Sequence, residues 1–243
     1  MSNADRSHHL SDLAALLGEY VEWDLYTESL RHKNRHFVDG SGYFSRLVSG
    51  CLACRYVLAP GWEDLYRARI MPVERQTASE PLPIAEMGAP PPNLASAGRL
   101  NPEGIPYFYA ALERDTAIAE VRPWPGARFS VARFATRASL EVLDLTGRYA
   151  AKQPSRTVRW VSFMIGRPVH RDDRWAYLGT QYLAERLKTE GVAGLLYDSA
   201  LKRGGINIAL FSESGIKPLG VELGDVTGVN YTTALLADGQ GDR

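Results

Sequence analysis

The 243-residue sequence has little of several features that would assign it to a specialised class. Its only cysteines are Cys51 and Cys54, too few for a disulfide framework, which favours a reducing compartment. Its 28 basic and 28 acidic residues cancel, so it lacks the positive charge typical of proteins that bind nucleic acid phosphates. No apolar run approaches the roughly 20 residues needed to cross a bilayer, and residues 1–17 lack the basic flank and cleavage site of a signal peptide. We therefore expect a cytoplasmic protein that binds neither nucleic acid nor membrane.

Several common catalytic motifs are also missing. No GxGxxG follows a predicted strand, and GxxxxGK[ST], HExxH and GxSxG do not occur. His170 is the only histidine after His36, which leaves little material for a hydrolase triad. The sequence therefore predicts no Rossmann fingerprint, P-loop, zincin site or nucleophile elbow.

The first part of the chain has the pattern of an amphipathic helix. Apolar residues recur at three- and four-residue steps from Ser11 to about Leu30, and Ser11 is the expected N-cap. Glycine and proline interrupt the pattern at 39–42 and again at 59–61. We predict a helical N-terminal extension over residues 1–60 and a separate domain over residues 61–243.

After residue 61, predicted strands outnumber helices and do not alternate with them regularly. This arrangement favours an α+β fold with a mixed, mainly antiparallel sheet and flanking helices over a doubly wound parallel sheet. Proline and glycine crowd residues 78–98, which predicts a long ordered loop of the kind that often belongs to a site. The predicted strands are "WEDLYRARI", residues 105–111, two in "FSVARFATRASLEVLDL" joined around "TRAS", "VAGLLYD", "INIALFS" and "IKPLGVEL"; the predicted helices are 115–121, "RTVRWVSFMIG" and "YLGTQYLAERLKTEG", the last ended by Gly191, and "DGQGDR" is a frayed tail.

Polar residues embedded in these apolar segments are the candidate chemical groups. Arginine forks suit phosphate oxygens, tyrosine rings offer a flat face to a heteroaromatic ring, and a carboxylate can stabilise the sugar cation formed when a glycosidic bond breaks. Such a set would suit a nucleotide whose sugar bond is cleaved. Taken singly, each residue also has a structural explanation, as a salt-bridge partner, a core aromatic or a turn residue. The candidates are Arg67, Arg69, Arg99, Tyr107, Tyr109, Glu120, Ser199 and Asn207.

The order of several motifs resembles the RES domain, named for its arginine, glutamate and serine. The motifs are "LYRAR", "PPP", "GRLNPEGIPYFYAA", "TAIAEVRP", "YLGTQYLAERLKTEGVAGLLYDSA" and "GGINIALF", and they span about residues 62–213. The resemblance implies a fold like that of diphtheria-toxin-type ADP-ribosyltransferases, with NAD⁺ as the substrate. Many such domains are toxins that degrade NAD⁺, and some transfer ADP-ribose to a protein. If this chain is one of the toxic members, the resemblance also implies an antitoxin or immunity protein that blocks the site.

Carried over residue by residue, the resemblance assigns roles. It implies that Glu120, Arg67 and Ser199 are catalytic, and that NAD⁺ contacts Arg67, Arg99, Tyr109, Ser199 and Asn207, with Arg69 as the alternative first arginine. The sequence has "GRLN" where toxin members often have "GGRWN", so a tryptophan beside the site is replaced by Leu100. Water as acceptor would give a glycohydrolase, phosphate a phosphorylase and a side chain a transferase. A non-catalytic nucleotide- or partner-binding module is the alternative of another class.

Two further patterns lie in the first sixty residues. Arg31 and His36, with His32 between them, have the R-x4-H spacing of HEPN ribonucleases, although a bundle of that kind normally needs about a hundred residues. His32, His36, Cys51 and Cys54 also have the spacing of an HxxxH and CxxC ligand set, which would suit a structural zinc. The alternative is two packed cysteines and solvated histidines.

Overall fold

The structure is a computed structural model that describes residues 3–33, 35, 42–169, 173 and 175–230, with side chains described from Ala14 onward. In this part of the chain, helices flank one eight-stranded sheet. The helices are α1 (Asn3–His32), α2 (Gly42–Leu52), α3 (Arg114–Glu120), α4 (Arg156–Gly166) and α5 (Leu178–Lys188). The strands are β1 (Arg55–Leu58), β2 (Leu65–Ile70), β3 (Phe108–Ala111), β4 (Arg128–Thr136), β5 (Leu140–Asp144), β6 (Gly194–Asp198), β7 (Ile206–Leu210) and β8 (Ile216–Asp225).

The sheet is mainly antiparallel. Its strand order is β1-β5-β6-β7-β3-β2-β4-β8, and among these pairs β5 and β6 alone run parallel. The α+β prediction is therefore confirmed. The order brings β2, β3, β7 and β6 together at the centre of the sheet, although β2 and β6 lie about 130 residues apart in the chain.

Most predicted elements occur where the hydrophobic period placed them. Helix α4 begins after Ser155, whose Oγ accepts a hydrogen bond from the amide of Val158, and it buries one face while exposing the other. Helix α5 ends shortly before Gly191, whose φ of 80° is a left-handed conformation that favours glycine. Helix α1 differs from the prediction. It begins at Asn3, so Ser11 lies inside the helix and is not its N-cap.

The two strands predicted on either side of "TRAS" occur as β4 and β5, and their pairing is decided by distant segments. Strands β4 and β5 follow one another in sequence, but β4 pairs with β2 and β8, whereas β5 pairs with β1 and β6. The two strands therefore form no hairpin. A local pattern identifies a strand, but its partners depend on long-range packing.

The N-terminal residues share the core of the rest of the chain. Strand β1 precedes the predicted boundary at Gly61 and pairs with β5 as an edge strand of the sheet. Trp23 of α1 and Leu47 of α2 belong to the same buried cluster as Val158 of α4 and Leu187 of α5. The two N-terminal helices thus cover one face of the sheet, together with α4 and α5.

The turn after β5 is organised by one buried carboxylate, that of Asp144. It accepts five hydrogen bonds, from the amides of Thr146, Gly147, Tyr149 and Ala150 and from the Thr146 hydroxyl. Burial by itself would raise the pKa of Asp144, but these hydrogen bonds to the charged form outweigh it, so the pKa lies below its ordinary value. The ionised carboxylate therefore stabilises this turn.

The N-terminal ligand pattern gains no support from the structure. Cys51 and Cys54 are free thiols in the hydrophobic core, and burial raises the pKa of each. His32 is exposed and lies beside Glu28, as does Arg31, whereas His36 lies outside the described residues. The described residues contain no cluster of three or more potential metal ligands. A zinc site is thus unsupported, and the R-x4-H interpretation stays a prediction.

None of the helices that the structure describes is both long and apolar enough to cross a membrane.

Candidate functional site

A cavity of about 320 Å³ lies where the central strands meet helix α3 and the loop before β3. This volume is within the range of small-molecule sites. It exists partly because alanines stand at several wall positions, where larger side chains would fill the space. The wall is formed by Tyr66, Arg67, Ala68, Gly98, Arg99, Tyr109, Ala110, Ala111, Ala117, Glu120, Val121, Tyr197 and Asn207.

Glu120, the last residue of α3, is the only acidic residue in this wall. Its Oε1 accepts two hydrogen bonds of 2.7 Å, one from the Ser199 hydroxyl and one from the Asn207 side-chain amide. Asn207 is almost completely buried on β7, and Ser199 begins the turn that follows β6. Two donors on one oxygen hold the half-buried carboxylate in a single orientation and leave Oε2 for other contacts.

The Ser199 hydroxyl is itself held by the turn that it begins. Its oxygen accepts hydrogen bonds from the amides of Leu201 (3.2 Å) and Lys202 (3.1 Å). These donors occupy the oxygen lone pairs and direct the hydroxyl proton toward Glu120. The carboxylate is thus connected to the backbone of a second loop.

Arg67 extends from β2 into the same wall. Its Nη1 donates to the carbonyl of Tyr109, while its Nε is buried without a hydrogen-bond partner among the described residues. Burial, and secondarily the neighbouring charge of Arg69, lower the pKa of Arg67 to about 10. The group stays protonated at neutral pH. It is a partly desolvated cation that would gain from an anionic ligand.

Arg69 occupies a different position from Arg67. Its Nη2 donates to the carbonyl of Gly88 at 2.9 Å, and it is not part of the cavity wall. The geometry therefore favours Arg67 as the arginine of "RAR" that faces the site. Arg69 attaches the long loop to β2.

Arg99 lines the cavity and also caps helix α4. Its Nη1 lies 2.6–2.9 Å from the carbonyl oxygens of Ile165, Gly166 and Arg167 at the end of that helix. Its guanidinium carbon also lies 5.6 Å from the ring centre of Tyr177. Positive charge is favourable at a helix C-terminus. Part of the Arg99 guanidinium therefore binds the end of α4, and only its remaining N–H groups are available to a ligand.

The loop that carries Arg99 is shaped by the Tyr109 hydroxyl. This hydroxyl donates to Asn101 Oδ1 at 2.8 Å and accepts from the Leu100 amide at 3.0 Å. Asn101 in turn donates to three carbonyls of the same loop. A Cβ at Gly98 would lie 2.4 Å from Asn101 Oδ1, so glycine is required for this close approach. Tyr109 presents its ring to the cavity while its hydroxyl fixes the loop.

Leu100, which replaces the tryptophan expected from the resemblance, lies in the hydrophobic core and not in the cavity wall. It is fully buried. Its backbone amide nevertheless contributes to the site through the bond to Tyr109.

The structure brings together most of the predicted site residues. Glu120, Arg67, Arg99, Tyr109 and Asn207 line one cavity, and Ser199 bonds directly to Glu120. Tyr107 instead packs in the core against Phe211, with ring centres 4.9 Å apart. Tyr107 precedes β3, which begins at Phe108, and it lies outside the cavity wall.

Sequence reasoning missed two aromatic residues of the wall, Tyr66 and Tyr197. Tyr197 lies opposite Asn207 in the β6–β7 pairing and is buried; burial, followed by Tyr109 and Glu120, raises its pKa. The sequence places both tyrosines close to predicted site residues, since Tyr197 stands two residues before Ser199 and Tyr66 directly before Arg67. To identify the two tyrosines as wall residues, one would need to know that β6 and β2 border the same cavity.

The chain is similar to one family model and to a chain of a solved structure. No curated protein matches the chain. The crystal structure of the M. tuberculosis MbcT-MbcA toxin-antitoxin complex contains a chain with 16% sequence identity and a TM-score of 0.43, an alignment covering 74% of this chain and 92% of that one. The family model of the RES domain matches residues 64–223, well over half of the chain. This chain belongs to the RES domain family.

Proposed function

We propose that this protein consumes NAD⁺ by cleaving the bond between nicotinamide and ribose. The observation that carries the proposal is the Glu120 carboxylate, held by Ser199 and Asn207 at the wall of a cavity that also presents Arg67 and Tyr109. An anion, a cation and an aromatic face converge on one space. This is the set of groups that a dinucleotide with a cleavable glycosidic bond requires.

The proposed chemical step uses the negative charge of Glu120. Nicotinamide leaves with the electron pair of the C–N bond, and positive charge develops on C1′ and the ring oxygen of the ribose. A carboxylate fixed beside this centre stabilises the transition state more than the ground state of the substrate, which is the condition for catalysis. Ser199 and Asn207 keep the carboxylate oriented, so little reorganisation is needed as the charge forms.

The substrate would be held mainly by its pyrophosphate and its rings. Arg67 makes no ion pair with a carboxylate in the described part of the chain, and its Nε has no partner there. A phosphate oxygen would supply both a counter-charge and an acceptor. The free N–H groups of Arg99 would add a second contact. The rings of Tyr109 and Tyr197 offer faces for nicotinamide or its ribose.

The acceptor decides the reaction class. Water would give free ADP-ribose, and phosphate would give ADP-ribose 1″-phosphate, with the proton of the acceptor passing to Glu120 or to solvent. A protein side chain as acceptor would make the protein an ADP-ribosyltransferase, which is the second enzymatic candidate. A non-catalytic nucleotide-binding module is the alternative of another class.

We also propose that a protein partner blocks the cavity until NAD⁺ consumption is required. Uncontrolled loss of NAD⁺ would kill the producing cell, so a toxin of this kind needs an antitoxin or immunity protein. We propose that the protein acts in the cytoplasm, where NAD⁺ is available.

The test is to incubate the purified chain with NAD⁺ and to follow nicotinamide, with and without phosphate. Release of nicotinamide without labelling of protein supports glycohydrolysis, and release that depends on phosphate supports phosphorolysis. Release with transfer of label to a protein supports the transferase. Binding of NAD⁺ without release by the inhibitor-free chain would overturn the catalytic proposal and favour the binding module.

A further inference from the structure

We propose that helices α1 and α4 form an interface through which two copies of this chain associate as a two-fold symmetric dimer. The inference concerns a surface away from the cavity and is independent of the proposed reaction. We call this surface the α1/α4 patch. It consists of Leu16, Leu17, Tyr20, Val21 and Leu25 of α1 and Trp160 and Phe163 of α4.

The apolar residues of the patch are unusually exposed, except for the partly buried Trp160. Leu17 and Phe163 are each 57% exposed, and Leu25 is 66% exposed. If a large apolar side chain presents ~150–250 Å² when free, the patch exposes on the order of 600 Å². The largest apolar patch on a monomer is about 300–600 Å², and a stable interface buries about 800 Å² on each partner. The patch is at the upper end for a monomer and close to what a dimer needs.

The patch is continuous across the two helices. The ring of Tyr20 meets that of Trp160 edge-on at 6.3 Å, and Trp160 lies 5.5 Å from Phe163. Glu19 accepts a hydrogen bond of 2.7 Å from Thr157, which joins α1 to the start of α4. The exposed ring of Tyr20 and the partly buried ring of Trp160 belong to residue types that are enriched at protein interfaces.

The spacing on α1 suits packing against another helix. Leu17, Val21 and Leu25 follow one another at four-residue steps and form one ridge along the helix. Ridges of this kind fit into the grooves of a facing helix at the crossing angle most common in globular proteins. The fold covers only the opposite face of α1, through Trp23, Tyr26 and Leu30.

Charge indicates a second copy as the occupant. Asp24 of α1 and Arg159 of α4 are exposed and opposite in charge, whereas Glu22 and Glu28 of α1 already pair with arginines of the same chain. A two-fold axis would place Asp24 of one copy near Arg159 of the other, and the reverse. The chain has a net formal charge of zero, so no long-range repulsion keeps two copies apart.

The patch belongs mostly to a part of the chain outside the family domain. Helix α1 precedes residues 64–223, and α4 ends at the carbonyls held by Arg99. The interface would therefore be a property that the N-terminal helices add to the domain.

The test is the mass of the full chain in solution, measured by sedimentation or light scattering over a range of concentrations. We expect a dimer at about 100 μM chain. Val21→Glu and Phe163→Glu should each raise its dissociation constant at least about tenfold. Val73→Glu is the control, because Val73 is 89% exposed on a short turn that belongs to neither helix of the patch. This substitution should not change the mass of the species in solution.

A charge variant makes the test independent of the apolar substitutions. Arg159→Glu keeps every apolar contact, and we expect it to weaken the dimer, as added salt should weaken that of the parent. Circular dichroism and thermal denaturation confirm that each variant is folded. A parent chain that is monomeric at all concentrations overturns the proposal. So does a dimer unaffected by both patch substitutions, or a patch that binds a different protein while the chain stays monomeric.

Discussion

Replacing Glu120 with glutamine separates the charge of this side chain from its shape. The glutamine Oε1 can still accept from Ser199 and Asn207, so the two bonds of 2.7 Å are retained with a neutral acceptor. A hydrogen bond to a charged group contributes about 1.5–3 kcal/mol and a neutral one about 1 kcal/mol. Each bond then loses about 0.5–2 kcal/mol, and we expect the free energy of unfolding to fall by about 1–4 kcal/mol.

The effect on the rate should be large. The amide cannot offset the positive charge that develops on the ribose, and the loss of one such electrostatic contact costs about 10²–10³ in kcat, or about 3–4 kcal/mol. Substrate binding depends mainly on the arginines and tyrosines, so KM should change little. The assay is chromatographic measurement of nicotinamide released at saturating NAD⁺, with urea denaturation of the same preparation.

Glu103→Gln is the matched control, because Glu103 is an exposed glutamate of the loop before β3 and should leave both measurements unchanged. A Glu120→Gln variant with nearly the parental kcat would refute the role assigned to the carboxylate. A variant that had lost activity because it was unfolded would show this in the urea transition, where we expect a folded baseline.

Three further predictions follow from contacts around the site and in the sheet. Asp144→Asn should lower stability at pH 7 by about 3 kcal/mol, because an amide cannot accept all five hydrogen bonds. Because folding lowers the pKa of Asp144, the ionised carboxylate stabilises the folded state fully at pH values above its unfolded pKa of about 3.9. This stabilisation is lost as the pH falls through the folded-state pKa, so the urea midpoints of the parent and the variant should converge at low pH. A difference between the midpoints that did not change with pH would contradict this. Gly98→Ala should destabilise the chain by about 1–3 kcal/mol and raise KM for NAD⁺, because the new methyl group collides with Asn101. Gly220→Ala is the control, because its methyl group meets nothing within 4 Å. Equal decreases in the melting temperature of the two variants would disprove the collision. Arg99→Lys should lower the urea midpoint by an amount equivalent to about 1–3 kcal/mol, because the lysine side chain is one bond shorter and its nitrogen cannot reach the position of Nη1 beside the three carbonyl oxygens. An unchanged midpoint would show that the cap contributes nothing.

The sequence by itself determined much of the local structure. Helix α4 and strands β2, β6 and β7 lie within the predicted segments, because hydrophobic periodicity reports which face of an element is buried. The motifs of the RES resemblance also identified Glu120, Arg67, Ser199 and Asn207, which the structure brings together. The chain pattern did not reveal that α1 begins at Asn3 or that β5 pairs with β1 and β6.

Tertiary structure alone decided how these residues are used. Ser199 reaches Glu120 across 79 positions of sequence, Tyr197 enters the wall opposite Asn207, and Arg99 is partly committed to the carbonyls of α4. The physical reason is that periodicity records whether a side chain is buried but not what it is buried against. Contacts between distant segments depend on strand order and loop path, and the free energy that selects those is spread over the whole core.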